Sequence, residues 1–263
     1  MKLPDMFDLT DQVAIVTGGA THLGKAMATG LAELGATTVI ASRRRQLCED
    51  VAAEMRSNGL NCTGLRCDAT SEAEVNALIN DVIAQFGQLN VMVCNAGGVA
   101  VPATYIPNGD IEEFTSTLEI NVRGTYLCAN EAAKVMVPQG SGAIITIGSI
   151  HGSLTNDKRF YEGLSFNRGG SAYQTAKAGI INFTRYLAME LGEHGITANC
   201  ISPGQIPKPG TEPIFLERAS KLNALSRNGV ADDLKGAVAL LASPAGSWIT
   251  GQNVIVDGGW SIW

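Results

Sequence analysis

Short runs of β-branched and other apolar residues alternate along the chain with longer stretches whose apolar positions recur every three to four residues. Val13–Thr17 (VAIVT) carries no internal polar position, so it reads as a strand covered on both faces. Further strands of this kind are predicted over 38–41, 62–67, Val91–Cys94, 143–147, 196–201 and Asn253–Val256. Helices are predicted over 25–34, 46–57, 71–86, 111–137, Ser171–Leu191 and 231–242. Gly35, Asn58-Gly59 and Pro138 stop three of them, and Ser71 with Glu74 has capping-box spacing. Strand–helix alternation with right-handed crossovers predicts an α/β fold: one doubly wound Rossmann-type domain over residues 1–263, with about seven parallel strands and helices on both faces. No Pro/Ser-rich linker, solenoid-period repeat or low-complexity tract divides it. Two irregular stretches, about 150–170 and 203–227, follow strand ends. Ligands sit there in such sheets, so both are expected to be substrate loops.

Composition excludes several classes. A hydrophobic fraction of 45% against 17% charged supplies a core and argues against a disordered chain. Nineteen Lys and Arg against 25 Asp and Glu give −6, the wrong sign for a nucleic-acid partner. The start, MKLPDMFDLTDQ, has early acids and no apolar h-region, and no apolar run approaches the ~20 residues of a membrane span. A cytoplasmic protein with no membrane partner is expected. Cys48, Cys62, Cys67, Cys94, Cys128 and Cys200 form no CxxC pair and have no second pair or His cluster for zinc. They read as small buried hydrophobes, and no metal is expected.

Two ends of the sheet carry candidate chemistry. Thr17-Gly18-Gly19-Ala20-Thr21-His22-Leu23-Gly24 lies between the first strand and first helix. Glycines there permit close backbone approach to a pyrophosphate, which the helix N-terminus attracts; a plain tight turn is the alternative. The second strand runs into Ser42-Arg43-Arg44, where an acid would select NAD(H) through the ribose 2′-hydroxyl. Guanidinium groups suit a 2′-phosphate, so NADP(H) is favoured over NAD(H), unless the arginines are only a solvated helix start. Asp68 can accept from an adenine amino group, and Asn95-Ala96-Gly97-Gly98 forms a further close-approach loop or an ordinary turn. At the other end, Tyr173 and Lys177 stand at i and i+4 on one helical face. An ammonium near a phenol lowers its pKa from about 10 and fits it to exchange a proton with an alcohol/carbonyl pair. Ser149 can hydrogen-bond the same oxygen, and Asn121 can hold a water or kink its helix.

In this order the motifs resemble the classical short-chain dehydrogenase/reductase family over roughly residues 8–260. The carriers are Thr17-Gly18 and Gly24, Asp68, Asn95-Ala96-Gly97, Asn121 in Asn-Val-Arg-Gly, Ser149, Tyr173-xxx-Lys177, Pro203-Gly204, and Gly251-Gln252 with Asp257-Gly258-Gly259. The resemblance implies Tyr173 as general acid/base, Ser149 orienting the substrate oxygen, and Lys177 binding the nicotinamide ribose and lowering the Tyr pKa. It implies Asn121 holding a relay water, and Thr21, His22, Leu23, Ser42, Pro203, Gly204 and Ile206 at the cofactor. It also implies a homotetramer, with helices around Ala129 and Ala178 and the apolar Trp260, Ile262 and Trp263 as candidate contacts; the tryptophans can equally pack within one subunit.

The chain departs from the pattern twice. His22 replaces a glycine of the turn, and is expected to keep the turn and donate to a phosphate. Ser149 and Tyr173 are 24 positions apart, about twice the family spacing. The insertion, 154–168, brings Asn156, Asp157, Lys158, Arg159, Glu162 and Arg168, anchored by Phe160 and Tyr161; it is a substrate lid or a solvated loop. With His151 and Gln205 as substrate contacts, its polarity suits a sugar acid, keto-sugar or polyol. The start Phe7-Asp-Leu-Thr-Asp-Gln-Val-Ala-Ile-Val-Thr-Gly is similar to the gluconate 5-dehydrogenase and polyol branch, although many acyl-carrier-protein reductases share it. The leading expectation is an NADP(H)-dependent oxidoreductase interconverting a secondary alcohol and a ketone on such a substrate. A 3-oxoacyl-thioester reductase, with Arg123 near the active-site helix, and a non-catalytic NADP(H)-binding sensor are the alternatives.

Overall fold

The computed structural model describes residues 1–99, 102–165 and 168–263; positions 166 and 167 of the expected insertion lie outside the described residues. The strands are β1 (Val13–Thr17), β2 (Thr37–Ser42), β3 (Cys62–Arg66), β4 (Val91–Cys94), β5 (Gly142–Ile147), β6 (Ile196–Pro203) and β7 (Asn253–Val256). They form one sheet in the order β3-β2-β1-β4-β5-β6-β7, every pair parallel. Helices are α1 (Leu3–Met6), α2 (His22–Glu33), α3 (Arg45–Ser57), α4 (Glu72–Phe86), α5 (Ile111–Leu118), α6 (Gly124–Gln139), α7 (Ser171–Leu191), α8 (Pro213–Leu222) and α9 (Lys235–Ala242).

Strand pleating explains why the strands are apolar throughout. Val13 and Ile15 of β1 pack toward α4, α6 and α7, while Ala14 and Val16 pack toward α2, α3 and α9. Strand order reverses beside β1, between β2 and β4, which opens a crevice at the carboxyl ends of β1 and β4.

Several local expectations differ from what is found. Ser71 caps α4 by accepting from the Glu74 N–H at 3.4 Å, but the Glu74 carboxylate turns to the Asp68 N–H and Arg66 instead of closing a capping box. Pro138 does not stop its helix. It sits in the last turn of α6, where the Gln139 side chain exchanges two hydrogen bonds with the Leu89 backbone and Gly140 ends the helix at φ 70°. The long 111–137 helix is interrupted by a π segment, Glu119–Arg123, between α5 and α6. The 231–242 helix begins as a 3-10 turn, Ala231–Leu234. The 203–227 stretch contains α8, which opens at Pro213 and whose sequence alone gives few apolar repeats.

The insertion is anchored, not merely solvated. Phe160 is buried and makes edge-on ring contacts with Tyr161, Phe215 of α8 and Trp260, at 4.9, 5.2 and 5.3 Å. Trp260 therefore packs within its own chain, whereas Trp263 is 77% exposed. All six cysteines are buried and unpaired, and burial pushes the Cys67 thiol up to about 12.

Candidate active site

The glycine-rich turn is held in shape by neighbours. Gly18 has φ 67°, a region an L side chain rarely adopts, and a Cβ on Gly24 would collide with the Gly18 carbonyl and stand 2.6 Å from Asn95 Nδ2. Thr17 is buried behind this turn. Its hydroxyl accepts the Asn95 and Ala96 N–H groups, both at 3.1 Å, and donates to Val93 O. Asn95 Nδ2 in turn donates to Thr17 O at 2.9 Å. Thr17 thus braces β1 against the loop after β4 and is not on the cleft surface, a correction to its expected cofactor contact.

One cleft of about 580 Å³ runs from this turn across the carboxyl ends of the strands. That lies within the ~300–1,000 Å³ usual for a small-ligand pocket. It brings together Gly18, Thr21, His22, Leu23, Gly24, Ser42, Arg43, Arg44, Asp68, Asn95, Ala96, Gly97, Ser149, Tyr173, Lys177, Pro203, Gly204, Gln205 and Ile206. Gly98, the last residue of the Asn95-Ala96-Gly97-Gly98 loop expected to approach a ligand closely, lines it as well. Sequence reasoning missed Ile120, Gly148 and Lys208, which also line it. Lys208 lies just beyond the Pro203–Ile206 run; Ile120 becomes visible only through the fold.

Arg43 and Arg44 are exposed on the cleft and in no ion pair among the described residues, as is Lys208, while Arg45 next door is held by Glu49 at 2.8 Å. Burial raises the Asp68 pKa, but hydrogen bonds from the Thr70 N–H and hydroxyl, with Arg43 and Arg66 nearby, outweigh it and keep the carboxyl below its ordinary value. His22 takes φ 46° in place of the glycine, and its Nε2 lies 3.3 Å from Pro207 O across the cleft.

Asn121 lies on the π segment, fully buried. A π turn displaces the usual i−4 amide, and the Asn121 side chain replaces it, donating from Nδ2 to Thr117 O at 2.8 Å and to Gly98 O at 2.6 Å. Its Oδ1 accepts the Gly98 N–H at 3.0 Å, and a Cβ on Gly97 would stand only 2.7 Å from it. Asn121 thus sits where the π segment interrupts the α-helical bonding, and its amide N–H groups are engaged with protein.

Ser149 stands just past β5, and its hydroxyl accepts the His151 N–H at 3.1 Å and faces the Tyr173 phenol. Burial pushes the Tyr173 pKa up; Ser149 opposes this. The expected lowering by Lys177 is not delivered by the chain alone. The Lys177 ammonium donates to Ile147 O at 2.8 Å and stands 5.5 Å over the Tyr173 ring face, not at its hydroxyl. Burial brings Lys177 itself down to about 8. His151, expected at the substrate, does not line the cleft; its Nδ1 is buried with no partner among the described residues, and burial lowers its pKa. The charged insertion residues also turn elsewhere: Asp157 and Arg159 pair with each other at 2.7 Å, and Arg168 stacks over Tyr105.

The depressed Lys177 pKa has a stability consequence. Below pH 8 both folded and unfolded amines are charged, and the burial penalty is fully present. Between about 8 and 10.5 only the unfolded chain holds the proton, so stability rises with pH. Against a Lys177→Met variant, the unliganded protein should gain about 3 kcal/mol between pH 7 and 10.5 in denaturant melts. A pH-independent difference between the two would contradict the buried-amine reading.

The chain matches the family model described as enoyl-(acyl carrier protein) reductase over residues 18–261. It is 34% identical to a short-chain type dehydrogenase/reductase of Mycobacterium marinum, with 99% of each chain covered and a TM-score of 0.88. The chain belongs to the classical short-chain dehydrogenase/reductase family. Among family members, a 3-oxoacyl-[acyl-carrier-protein] reductase of Synechocystis is 34% identical over 97% of this chain and 98% of its own. A cis-4-hydroxycyclohexanecarboxylate dehydrogenase of Sinomonas cyclohexanicum is also 34% identical, over 95% and 97%. A gluconate 5-dehydrogenase of Burkholderia cenocepacia, solved with NADP and tartrate, is 26% identical with full coverage of both chains and a TM-score of 0.89. Family membership makes the chain an oxidoreductase of the nicotinamide-dependent type.

Proposed function

We propose that the chain is an NADP(H)-dependent oxidoreductase that interconverts a secondary alcohol and a ketone on a small polar molecule such as a sugar acid, keto-sugar or polyol. The carrying observation is the pair of unpaired guanidinium groups, Arg43 and Arg44, on the cleft where an acid would otherwise receive the ribose. The residues fit the dinucleotide: the Gly18/Gly24 cradle admits no Cβ, and the cleft runs unbroken from that cradle to Ser149 and Tyr173. Bound dinucleotide supplies or accepts the hydride. Tyr173 gives the phenol proton to the ketone oxygen in reduction and takes it from the alcohol in oxidation, while Ser149 orients that oxygen. Because burial holds the Tyr173 proton on, reduction is the competent direction at neutral pH, and oxidation climbs with pH as the phenol ionises.

Substrate polarity rests on Gln205 and the unpaired Lys208, since the insertion charges turn away from the cleft. The acyl-thioester reading is favoured by the Synechocystis relative. It lacks a docking cation at Arg123, whose guanidinium is taken by Glu119 and Thr70 O. The test follows nicotinamide absorbance with NADP+ and NAD+ in parallel across sugar acids, polyols, alicyclic hydroxy acids and hydroxyacyl thioesters. Turnover of polar alcohols with NADP+ preferred supports the proposal. Turnover confined to thioesters moves the assignment to acyl reduction, and no turnover despite NADPH binding leaves a sensor.

The homotetramer belongs to the same reading. Tyr126 of α6 and Tyr186 and Met189 of α7 are 50, 58 and 84% exposed, and the Tyr126–Phe183–Tyr186 rings make one apolar surface. A solution mass of four 27.6 kDa chains is expected by light scattering, and a monomer mass would refute it. Among the described residues no helix is long and apolar enough to cross a membrane, and a cytoplasmic setting is part of the proposal.

A further inference from the structure

Helix α7 carries Tyr173 two residues into its first turn, yet its N-cap is Gly170, which has no side chain to cap it. Something else must fix where the helix starts, because the first-turn N–H groups make no bonds within the helix. The chain just before it is held by its carbonyls. Tyr105 donates to Arg168 O at 2.8 Å while the Arg168 guanidinium stacks over the Tyr105 ring. The next carbonyl, Gly169 O, accepts from Asn156 Nδ2 at 2.8 Å, with Gln174 Nε2 more distant at 3.4 Å.

Asn156 belongs to the insertion and is buried, with 8% of its surface exposed. Its amide is oriented by the Tyr161 hydroxyl, which donates to Oδ1 at 3.3 Å. Tyr161 is in turn fixed by the Phe160–Phe215–Trp260 rings, and Arg218 of α8 donates to the Phe160 and Glu162 carbonyls at 2.6 and 2.7 Å. At the far end of this connection the Gly169 backbone packs on the Tyr173 ring: a Cβ there would stand 3.4 Å from Tyr173 Cδ1 and 3.5 Å from Asn156 Nδ2.

We propose that Asn156 is a positioning residue for Tyr173: its hold on the Gly169 carbonyl fixes the uncapped start of α7, and makes the insertion part of the apparatus that orients the phenol. This rests on the reading of Tyr173 as the proton donor. The insertion then acts neither as a loose lid nor as a surface loop. It is a bracket between the α8–Trp260 aromatic cluster and the catalytic helix.

The test reads Tyr173 directly and needs no substrate. Near-ultraviolet titration of tyrosinate is run on the full chain and on Asn156→Ala and Asn156→Leu variants, each against its own Tyr173→Phe partner to isolate one phenol. The groups facing that phenol are Ser149, Lys177 and Tyr161, whose charge interacts with it, and all three are kept in both variants. Released from Gly169, the ring gains water, so its ionisation in Asn156→Ala should move toward the ordinary value by about half a pH unit or more, roughly threefold in the constant. Asn156→Leu removes the same donor to Gly169 O while filling its volume, should shift it the same way, and carries the test alone if Asn156→Ala does not fold. NADPH affinity should stay within about twofold in both. A Tyr173 step at the wild-type pH in the variants overturns the proposal. Turnover lost in Tyr173→Phe is a separate result, so failure of the bracket and failure of the proton-donor reading are told apart.

Discussion

Changing Tyr173 to Phe should lower turnover by roughly 10²–10⁴-fold, the range for removing a general acid/base, while NADPH affinity stays unchanged. The ring remains, so the cleft wall and the contact with Gly169 persist. What is lost is the phenol that, among the described residues lining the cleft, faces Ser149 and lies under Lys177. Lys177 cannot substitute for it, because its ammonium is committed to Ile147 O. Of the cleft's other ionisable side chains, His22, Asp68, Arg43 and Arg44 belong to the glycine-rich turn and the ends of β2 and β3, and Lys208 to the stretch after β6. Steady-state kinetics beside fluorescence titration of NADPH separates the two quantities. A variant that keeps more than a tenth of the wild-type rate would remove Tyr173 from the chemistry.

The second large effect concerns cofactor choice. A hydrogen bond to a charged group contributes about 1.5–3 kcal/mol, so an Arg43→Ala/Arg44→Ala double variant should lose roughly a hundredfold or more in NADPH affinity. NADH affinity should hardly move, since nothing else on the cleft changes. Arg45→Ala is the internal control: that guanidinium already faces Glu49 and does not line the cleft. Equal losses for NADPH and NADH, or no loss for either, would make the two arginines a solvated helix start.

The difference between what the sequence conveyed and what it concealed is physical. β1 and β4 were legible because both their faces are buried, which leaves an unbroken apolar run. The proposed catalytic set was legible because Ser149 stands at one strand end and Tyr173 and Lys177 on one helix face. Thr17 was misplaced because a motif shows which residues matter and not which way a side chain turns; its hydroxyl faces the loop after β4. The insertion charges misled for the same reason, since Asp157 and Arg159 satisfy each other. The π segment at Asn121 and the α8–Phe160–Trp260 cluster depend on contacts between positions far apart in the chain, which no local periodicity encodes. The pKa of Tyr173 likewise depends on burial, a property of the folded surroundings.

The most direct test supplies NADPH deuterated at the transferring carbon to the purified chain with a panel of small polar ketones, and follows products by mass spectrometry. The account predicts secondary alcohols carrying one added deuterium at the carbinol carbon, formed faster than with labelled NADH and absent in Tyr173→Phe. NADPH bound tightly with no labelled alcohol from any ketone, or label transfer that survives unchanged in Tyr173→Phe, would contradict it.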